Sequence, residues 1–202
     1  MTRVASTASK DATTGELVYA RAVDLIYEYG FHGTSLRPIA ERVGVQMSTL
    51  YHYFPSKQDI LLTIMTIAMQ DMTDQVLTAI EGQTSCRAAL HAAIRAHIEF
   101  HAERLKEAVI ADSELRSLEG DGRERIIGMR DAYERIFRSI LEDGKRSGEF
   151  RDVNAVLTTR ALLGSITDVG NWYHADGELS LPEIAEDYSR LFVEGIAARG
   201  ER

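Results

Sequence analysis

The sequence predicts an all-α protein, with a three-helix helix-turn-helix unit at its N-terminal end and a helical bundle after it. Three observations carry that prediction. Apolar residues recur at helical spacing through almost the whole chain, as in Ile60, Leu61, Ile64, Ile67, Ala68, Met72, Val76 and Ile80. No run alternates apolar and polar residues as a half-buried strand would. Glycine and Ser or Asp punctuate the periodic runs where helices end and begin, and only three prolines interrupt 202 residues.

Met1 to Thr14 is rich in Ser, Thr and Ala without a period, and 1–14 is expected to be a flexible arm in which Arg3 and Lys10 are solvated or touch DNA. A first helix is predicted from Gly15 to Tyr29, with Val18, Ala22, Leu25 and Ile26 inward and Gly30 closing it, Phe31 folding back as the apolar contact of that cap. Ser35 is the N-cap expected for the next helix. Pro38 falls in its first turn, Ile39, Ala40 and Val43 form the buried stripe, and Gly44 ends it. Two residues later Gln46-Met47-Ser48-Thr49 opens another helix, which is the spacing of a helix-turn-helix. Leu50 and Phe54 share its inner face, and Pro55 stops it. A long connector helix from Ser56 to about Glu81 follows, and its capping-box-like start aims N–H groups and the Lys57 charge at one spot suited to a phosphate.

Further on, Ser85 caps a helix from Cys86 to about Leu105. A shorter one spans Glu107 to Leu118, a loop takes 119–122, and Arg123 to Arg146 forms the next helix, with Tyr133, Ile136 and Phe137 on its apolar side. Asp152 is the expected cap of a helix from Val153 to His174, and Pro182 opens the last one, which runs to about Ala198. The units expected are therefore 1–14 as arm, 15–57 as reading unit and 58–202 as the second domain.

The outer side of the helix after Gly44 carries Ser48, Thr49, Tyr51, His52 and Tyr53, groups suited to base edges and phosphate oxygens rather than to a core. The run LRPIAERVGVQMSTLYHYFPSKQDIL resembles the DNA-binding segment of the TetR family of bacterial transcription regulators, and AVDLIYEYGFHGTS resembles that family's first helix and glycine turn. DGKRSGEFR is similar to the turn before the family's last two helices. The resemblance implies a DNA-binding set of Thr34, Ser35, Arg37, Gln46, Met47, Ser48, Thr49, Tyr51, His52, Tyr53 and Lys57. It also implies dimerisation through the last two helices, so Leu162, Ile166, Trp172, Tyr188 and Phe192 are the interface residues expected. Finally it implies an effector cavity between the connector helix and its neighbours, with Met65, Met69, Ile94, Ile98, His101, Met129, Tyr133, Phe137 and Thr167 as the candidate lining. With no cluster of cationic side chains in sight there, a small apolar or amphipathic effector is expected, acyl-CoA-like ligands being among the candidates.

Charge does not by itself support DNA binding. Of 23 basic and 31 acidic residues, six of each lie in 1–60, which leaves 17 basic against 25 acidic in 61–202 and puts the whole net charge of −8 there. A neutral reading unit permits a few placed phosphate contacts, while the acidic bulk repels DNA elsewhere. The one cysteine, Cys86, excludes an intramolecular disulfide and fits a reducing compartment. Residues 1–14 contain no signal-like apolar core, and no run approaches the ~18 apolar residues of a membrane span. A cytoplasmic protein with no membrane partner is expected.

Catalytic signatures are lacking: there is no G-x-S-x-G, no phosphate-cradling loop and no paired carboxylates, so neither enzymatic activity nor a cofactor is expected. His97 and His101 stand four apart, but in the order H-I-E-F-H, which puts the Glu on the wrong side to act as base for a metal-bound water. The expectation is a homodimeric repressor that is released from a near-palindromic double-stranded operator by a small-molecule effector. A DNA-binding dimer without small-molecule input and a helical metal protein built on His97 and His101 are the alternatives.

Overall fold

The computed structural model describes residues 13–198, so the first twelve residues of the expected arm, Arg3 and Lys10 among them, lie outside the described part. Thr13 and Thr14 do not belong to an arm. Thr13 caps α1 (Thr14–Gly33): its hydroxyl accepts from the Glu16 N–H and the Glu16 carboxylate accepts from its own N–H, a closed capping box. Ten α-helices and one 3₁₀ turn follow each other in the described residues, and the only extended pairing is a single bridge between Phe150 and Ala197.

The helix-turn-helix unit is α1, α2 (Leu36–Val43) and α3 (Met47–Tyr53). Gly30, at φ 72°, kinks α1 and lets Phe31 turn into the core. Gly44, at φ 79°, ends α2 with its N–H on the Ala40 and Glu41 carbonyls, and Ile39, Ala40 and Leu50 fill the space between the helices. Ser35 occupies the N-cap position of α2, but its hydroxyl makes no capping bond. Phe54 closes α3 at its C-cap and packs half-buried on the core that encloses Leu50.

The connector α4 (Lys57–Ile80) runs from this unit into the second domain, capped by the Ser56 hydroxyl on the Asp59 N–H. There it meets α5 (Cys86–Glu103), the central helix, whose Leu90, Ala93, Ile94 and Ile98 are fully enclosed. Around α5 stand α4, α6 (Leu105–Ser113), α7 (Gly120–Ser147), α8 (Ala155–Thr167), α9 (Val169–Trp172) and α10 (Leu181–Ile196), the last opened by a Ser180–Glu183 capping box.

Three boundaries differ from expectation. The segment expected as one helix over 107–118 is α6 followed by a 3₁₀ turn, Glu114–Ser117. α7 starts at Gly120 instead of Arg123, because its first turn packs on α4, with the Leu62 side chain directly over Gly122. The helix expected over 153–174 is split at Asp168 into α8 and α9. Its cap is Asn154, while Asp152 instead pairs with Lys145 at 2.7 Å.

At the end of α7 the chain reverses through Gly148, at φ 79°, and Phe150 folds its ring flat onto Gly144. A Cβ at Gly144 would collide with that ring, whereas one at Gly128, on the outer side of the same helix, meets nothing. Gly144→Ala should therefore destabilise by about 1–3 kcal/mol through overpacking, while Gly128→Ala should stabilise by up to about 1 kcal/mol through helix propensity. Thermal unfolding of the two variants should move in opposite directions; a shared direction would contradict the packing described.

Candidate nucleic-acid interface and internal cavity

α3 buries Leu50 and leaves Ser48, Tyr51, His52 and Tyr53 exposed, with Thr49 half-covered; Tyr51 and Tyr53 are 48% and 43% exposed. Seven residues make a helix about 10 Å long, which suits a major groove about 12 Å wide. Gln46, Ser35 and Arg37 also stand at the surface. Tyr53 is less free than its exposure suggests, because its ring rests against Gly15 at the start of α1, where a Cβ would come within 3.0 Å of it. Met47 packs half-buried on the core and serves to seat α3.

Two residues expected at the DNA are occupied elsewhere. Thr34 is buried, and its hydroxyl donates to the Leu25 and Gly30 carbonyls at 3.0 and 2.9 Å, which closes the kinked end of α1. The Lys57 ammonium donates to the Phe31 and Thr34 carbonyls at 2.8 and 2.9 Å and lies 4.2 Å from the centre of the Phe31 ring. Two of its three protons are thus spent on carbonyls at the C-terminal end of α1. Both residues hold the reading unit together; a phosphate seat at Lys57 is not what the geometry supports.

The same turn is gripped from its other side. The Phe31 N–H donates to Glu114 at 3.0 Å, and Glu114 also accepts from the Ser117 hydroxyl at 2.6 Å. Gln58, on the first turn of α4, donates to the Ser117 carbonyl at 2.8 Å. Nearby, Lys106 of α6 pairs with Asp24 of α1, and Arg104 bridges Asp71 of α4 and Glu107 of α6. The 3₁₀ turn at the end of α6 therefore touches both α1 and α4.

A cavity of about 190 Å³ lies among α4, α5, α6, α7 and α8. Of the expected lining, Met69, His101, Tyr133 and Thr167 reach it. Met65, Ile94, Ile98 and Phe137 are fully enclosed in the core beside it, and Met129 packs half-buried on the core without reaching the wall. The structure adds Met72, His97, Asp112, Arg130, Glu134 and Leu163. His97 had a signal in the sequence, four residues before His101; Asp112 and Arg130 had none, since they face the cavity only through the way α6 and α7 pack.

At the inner wall His97 shares a 2.7 Å hydrogen bond with the Tyr133 hydroxyl and one of 3.1 Å with the Thr167 hydroxyl. Burial, and then the neighbouring His101, push the His97 pKa well below the usual imidazole value, so the ring is neutral. Burial, and then Asp112, hold the Tyr133 phenol well above its usual range. His101 stacks on His97 with ring centres 4.3 Å apart. A metal on the His97/His101 pair would have to displace the Tyr133 or the Thr167 hydroxyl from a His97 nitrogen, and among the described residues no group of three or more His, Cys, Asp or Glu is arranged to hold a metal ion.

Within the expected dimer face, Leu162 and Ile166 are buried in the protomer's own core, so they are not available to a partner. Tyr188 and Phe192 are half-buried, Trp172 is 40% exposed, and Leu157 of α8 and Leu191 of α10 stand out at 64% and 67%. No helix among the described residues is long and apolar enough to cross a membrane.

A helix-turn-helix with an exposed reading helix, joined by one long helix to an all-α domain with a half-open cavity between its helices, defines a DNA-binding regulator. Residues 18–64 match the family model described as bacterial regulatory proteins, tetR family, and residues 83–196 match that of the tetracyclin repressor-like C-terminal domain. The chain belongs to the TetR family of transcriptional regulators. It is 28% identical to the fatty acid metabolism regulator protein of Bacillus subtilis (strain 168) over 177 residues, 87% of this chain and 91% of that protein. Among solved structures it is similar to PfmR, a TetR family transcriptional regulator from Thermus thermophilus, with a TM-score of 0.81 and 29% identity over 92% of this chain and 99% of that one. AibR in complex with isovaleryl coenzyme A and operator DNA shares the fold, with a TM-score of 0.82 at 24% identity, 89% of this chain and 97% of that one.

Proposed function

We propose that this regulator is a cytoplasmic homodimeric repressor that leaves a near-palindromic operator when a small amphipathic effector enters the cavity. In this reading 15–57 is the reading unit and 58–202 the sensing and dimerising unit. Two α3 helices lie in major grooves about one helical turn apart, with Ser48, Thr49, Tyr51 and His52 toward the bases and Arg37 beside them. The fatty acid regulator similarity supports an acyl-type effector, and the shared fold holds isovaleryl coenzyme A in AibR.

One observation carries the proposal: α6 lines the cavity with Asp112, and two residues later Glu114 holds the kinked end of α1 at Phe31. A ligand that displaces Asp112 displaces the residue that fixes the reading unit. The cavity also counts against a dimer without small-molecule input.

Tyr51→Ala should weaken operator binding by about 1–3 kcal/mol and leave folding and assembly unchanged, because the side chain is exposed. Unaltered affinity in an anisotropy titration would remove Tyr51 from the interface. Gating is tested by reciprocity. A ligand that binds the cavity should weaken operator binding by the same factor by which saturating operator weakens ligand binding, a coupling of about 1–3 kcal/mol. Coupling factors of one for every such ligand would leave the DNA-binding dimer without small-molecule input.

A further inference from the structure

α6 and the 3₁₀ turn after it, residues 105–117, stand within the second domain in sequence, yet they are tied to the reading unit at both ends. Near the start of α6 the Lys106 ammonium pairs with Asp24 of α1 at 2.5 Å, and just past its end Glu114 accepts from the Phe31 N–H at 3.0 Å. Asp24 to Phe31 spans about 10 Å of α1, and Lys106 to Glu114 about 12 Å of α6 and its turn, at ~1.5 Å per residue. The two elements therefore run side by side in the same direction, and sliding α6 along α1 would break an anchor. The Lys106–Asp24 pair is partly exposed and fixes register more than energy. Glu114 is the stronger joint, a carboxylate on a part-buried backbone N–H. Phe31 is thereby held twice, its N–H by Glu114 and its carbonyl by Lys57.

The joints to the rest of the second domain are looser. Arg104, at φ −114° and ψ 39°, is at once the C-cap of α5 and the N-cap of α6, and Leu118 and Glu119 are extended before α7. α6 packs mainly on α1 and α4, with α5 and α9 also in contact. Its polar contacts with α5 and α7 end on Ala111 and Asp112. Arg130 of α7 donates to the Ala111 carbonyl, and Asp112 stands 3.6 Å from Arg130 and 3.5 Å from His101. Both of those separations exceed the ~2.7–2.9 Å of a closed charge-assisted bond. His101, Asp112 and Arg130 all line the cavity, so the cavity lies along this looser side of α6.

We propose that α6 and its turn belong mechanically to the reading unit, that Glu114 is the positioning residue joining them to α1, and that the cavity is the seam between this body and the rest of the second domain. Residues 105–117 then move with α1, α2 and α3 although they are threaded through the sensing domain. The consequence for gating rests on the effector reading above: a ligand that widens the seam carries Asp112, and with it the end of α1, away from α5 and α7.

The test is native-state hydrogen exchange of the full chain, read by mass spectrometry with neither ligand nor DNA present. Elements of one cooperative body open together. Thr34→Val removes the hydroxyl that closes the kinked end of α1. It should speed exchange at least tenfold in α1, α2, α3 and α6 alike and leave α5, α8 and α10 unchanged. Ala40→Gly, a milder change inside α2, should do the same more weakly. In a Glu114→Ala background the response of α6 to Thr34→Val should fall at least threefold while that of α1 to α3 persists. Glu114→Gln, whose amide oxygen can still accept from the Phe31 N–H, should restore it. A Glu114 that only stabilised its own turn would raise basal exchange there and leave the response intact. The proposal is overturned by α6 exchanging at its parent rate while α1 to α3 speed up, by α5 and α8 accelerating in step with them, or by a response untouched in Glu114→Ala. Because no ligand enters the experiment, its failure leaves the effector reading standing, and coupling factors of one would leave this partition standing.

Discussion

Lys57→Met should lower stability by about 2–3 kcal/mol and leave the salt dependence of operator binding unchanged. The ammonium donates to two carbonyls at the end of α1, and hydrogen bonds from a charged group contribute about 1.5–3 kcal/mol each before the discount for partial exposure. Methionine keeps the aliphatic stem over Phe31 and removes the donors, so the loss reports the capping bonds. For a domain of this size that corresponds to a fall in melting temperature of roughly 5–10 °C. A phosphate contact would behave differently: its removal leaves the melting temperature alone and reduces the slope of log affinity against log salt by about one unit. Measuring both quantities separates the roles, and a reduced slope with an unchanged melting temperature would return Lys57 to the DNA.

The contrast at Lys57 marks where a sequence stops being informative. Gly44, Ser56, Ser85 and Gly148 act on residues within a few positions of themselves, so their capping roles can be read from the chain. The connector helix and the exposed groups of α3 are legible for the same reason, since helical periodicity is local. Lys57 looks like a helix-start cation because its carbonyl partners lie 23 and 26 residues away and nothing near it advertises them. Thr34 reads as a residue for the DNA until the kink at Gly30 brings two carbonyls to its hydroxyl.

The cavity was legible in location and not in chemistry. The resemblance implied a place among α4, α5 and α7, and apolar periodicity there made Met65, Ile94, Ile98 and Phe137 look like lining when they are core. Asp112 and Arg130 sit on helices whose exposed faces carry many charges, and only the packing of α6 and of α7 on α4 and α5 brings these two to the cavity. In the same way the break at Asp168 cannot be read from 153–174, where helical spacing continues. It comes from α9 packing against α5, with Gly170 close over His101.

In the dimer proposed above, Leu191→Glu should give monomer without unfolding the chain. Leu191 is the most exposed large apolar side chain described, at 67%, and Leu157 on α8 follows at 64%; α8 and α10 each bury one face against α5 and leave these leucines outside. In a two-fold interface built from α8 and α10 of each copy, every residue occurs twice, so one substitution introduces two carboxylates. An uncompensated buried charge costs about 3–5 kcal/mol, and two exceed what a dimer of ordinary size can absorb. Phe192→Glu, the change that the sequence alone suggests, is a poorer probe, because Phe192 is half-buried in its own protomer and its loss would perturb folding as well. Sedimentation at concentrations where the parent is dimeric should show Leu191→Glu as a folded monomer with an unshifted helical spectrum. Operator affinity should fall with it, since each reading unit then meets a single half-site. A dimer that survives the substitution would move the interface off α10.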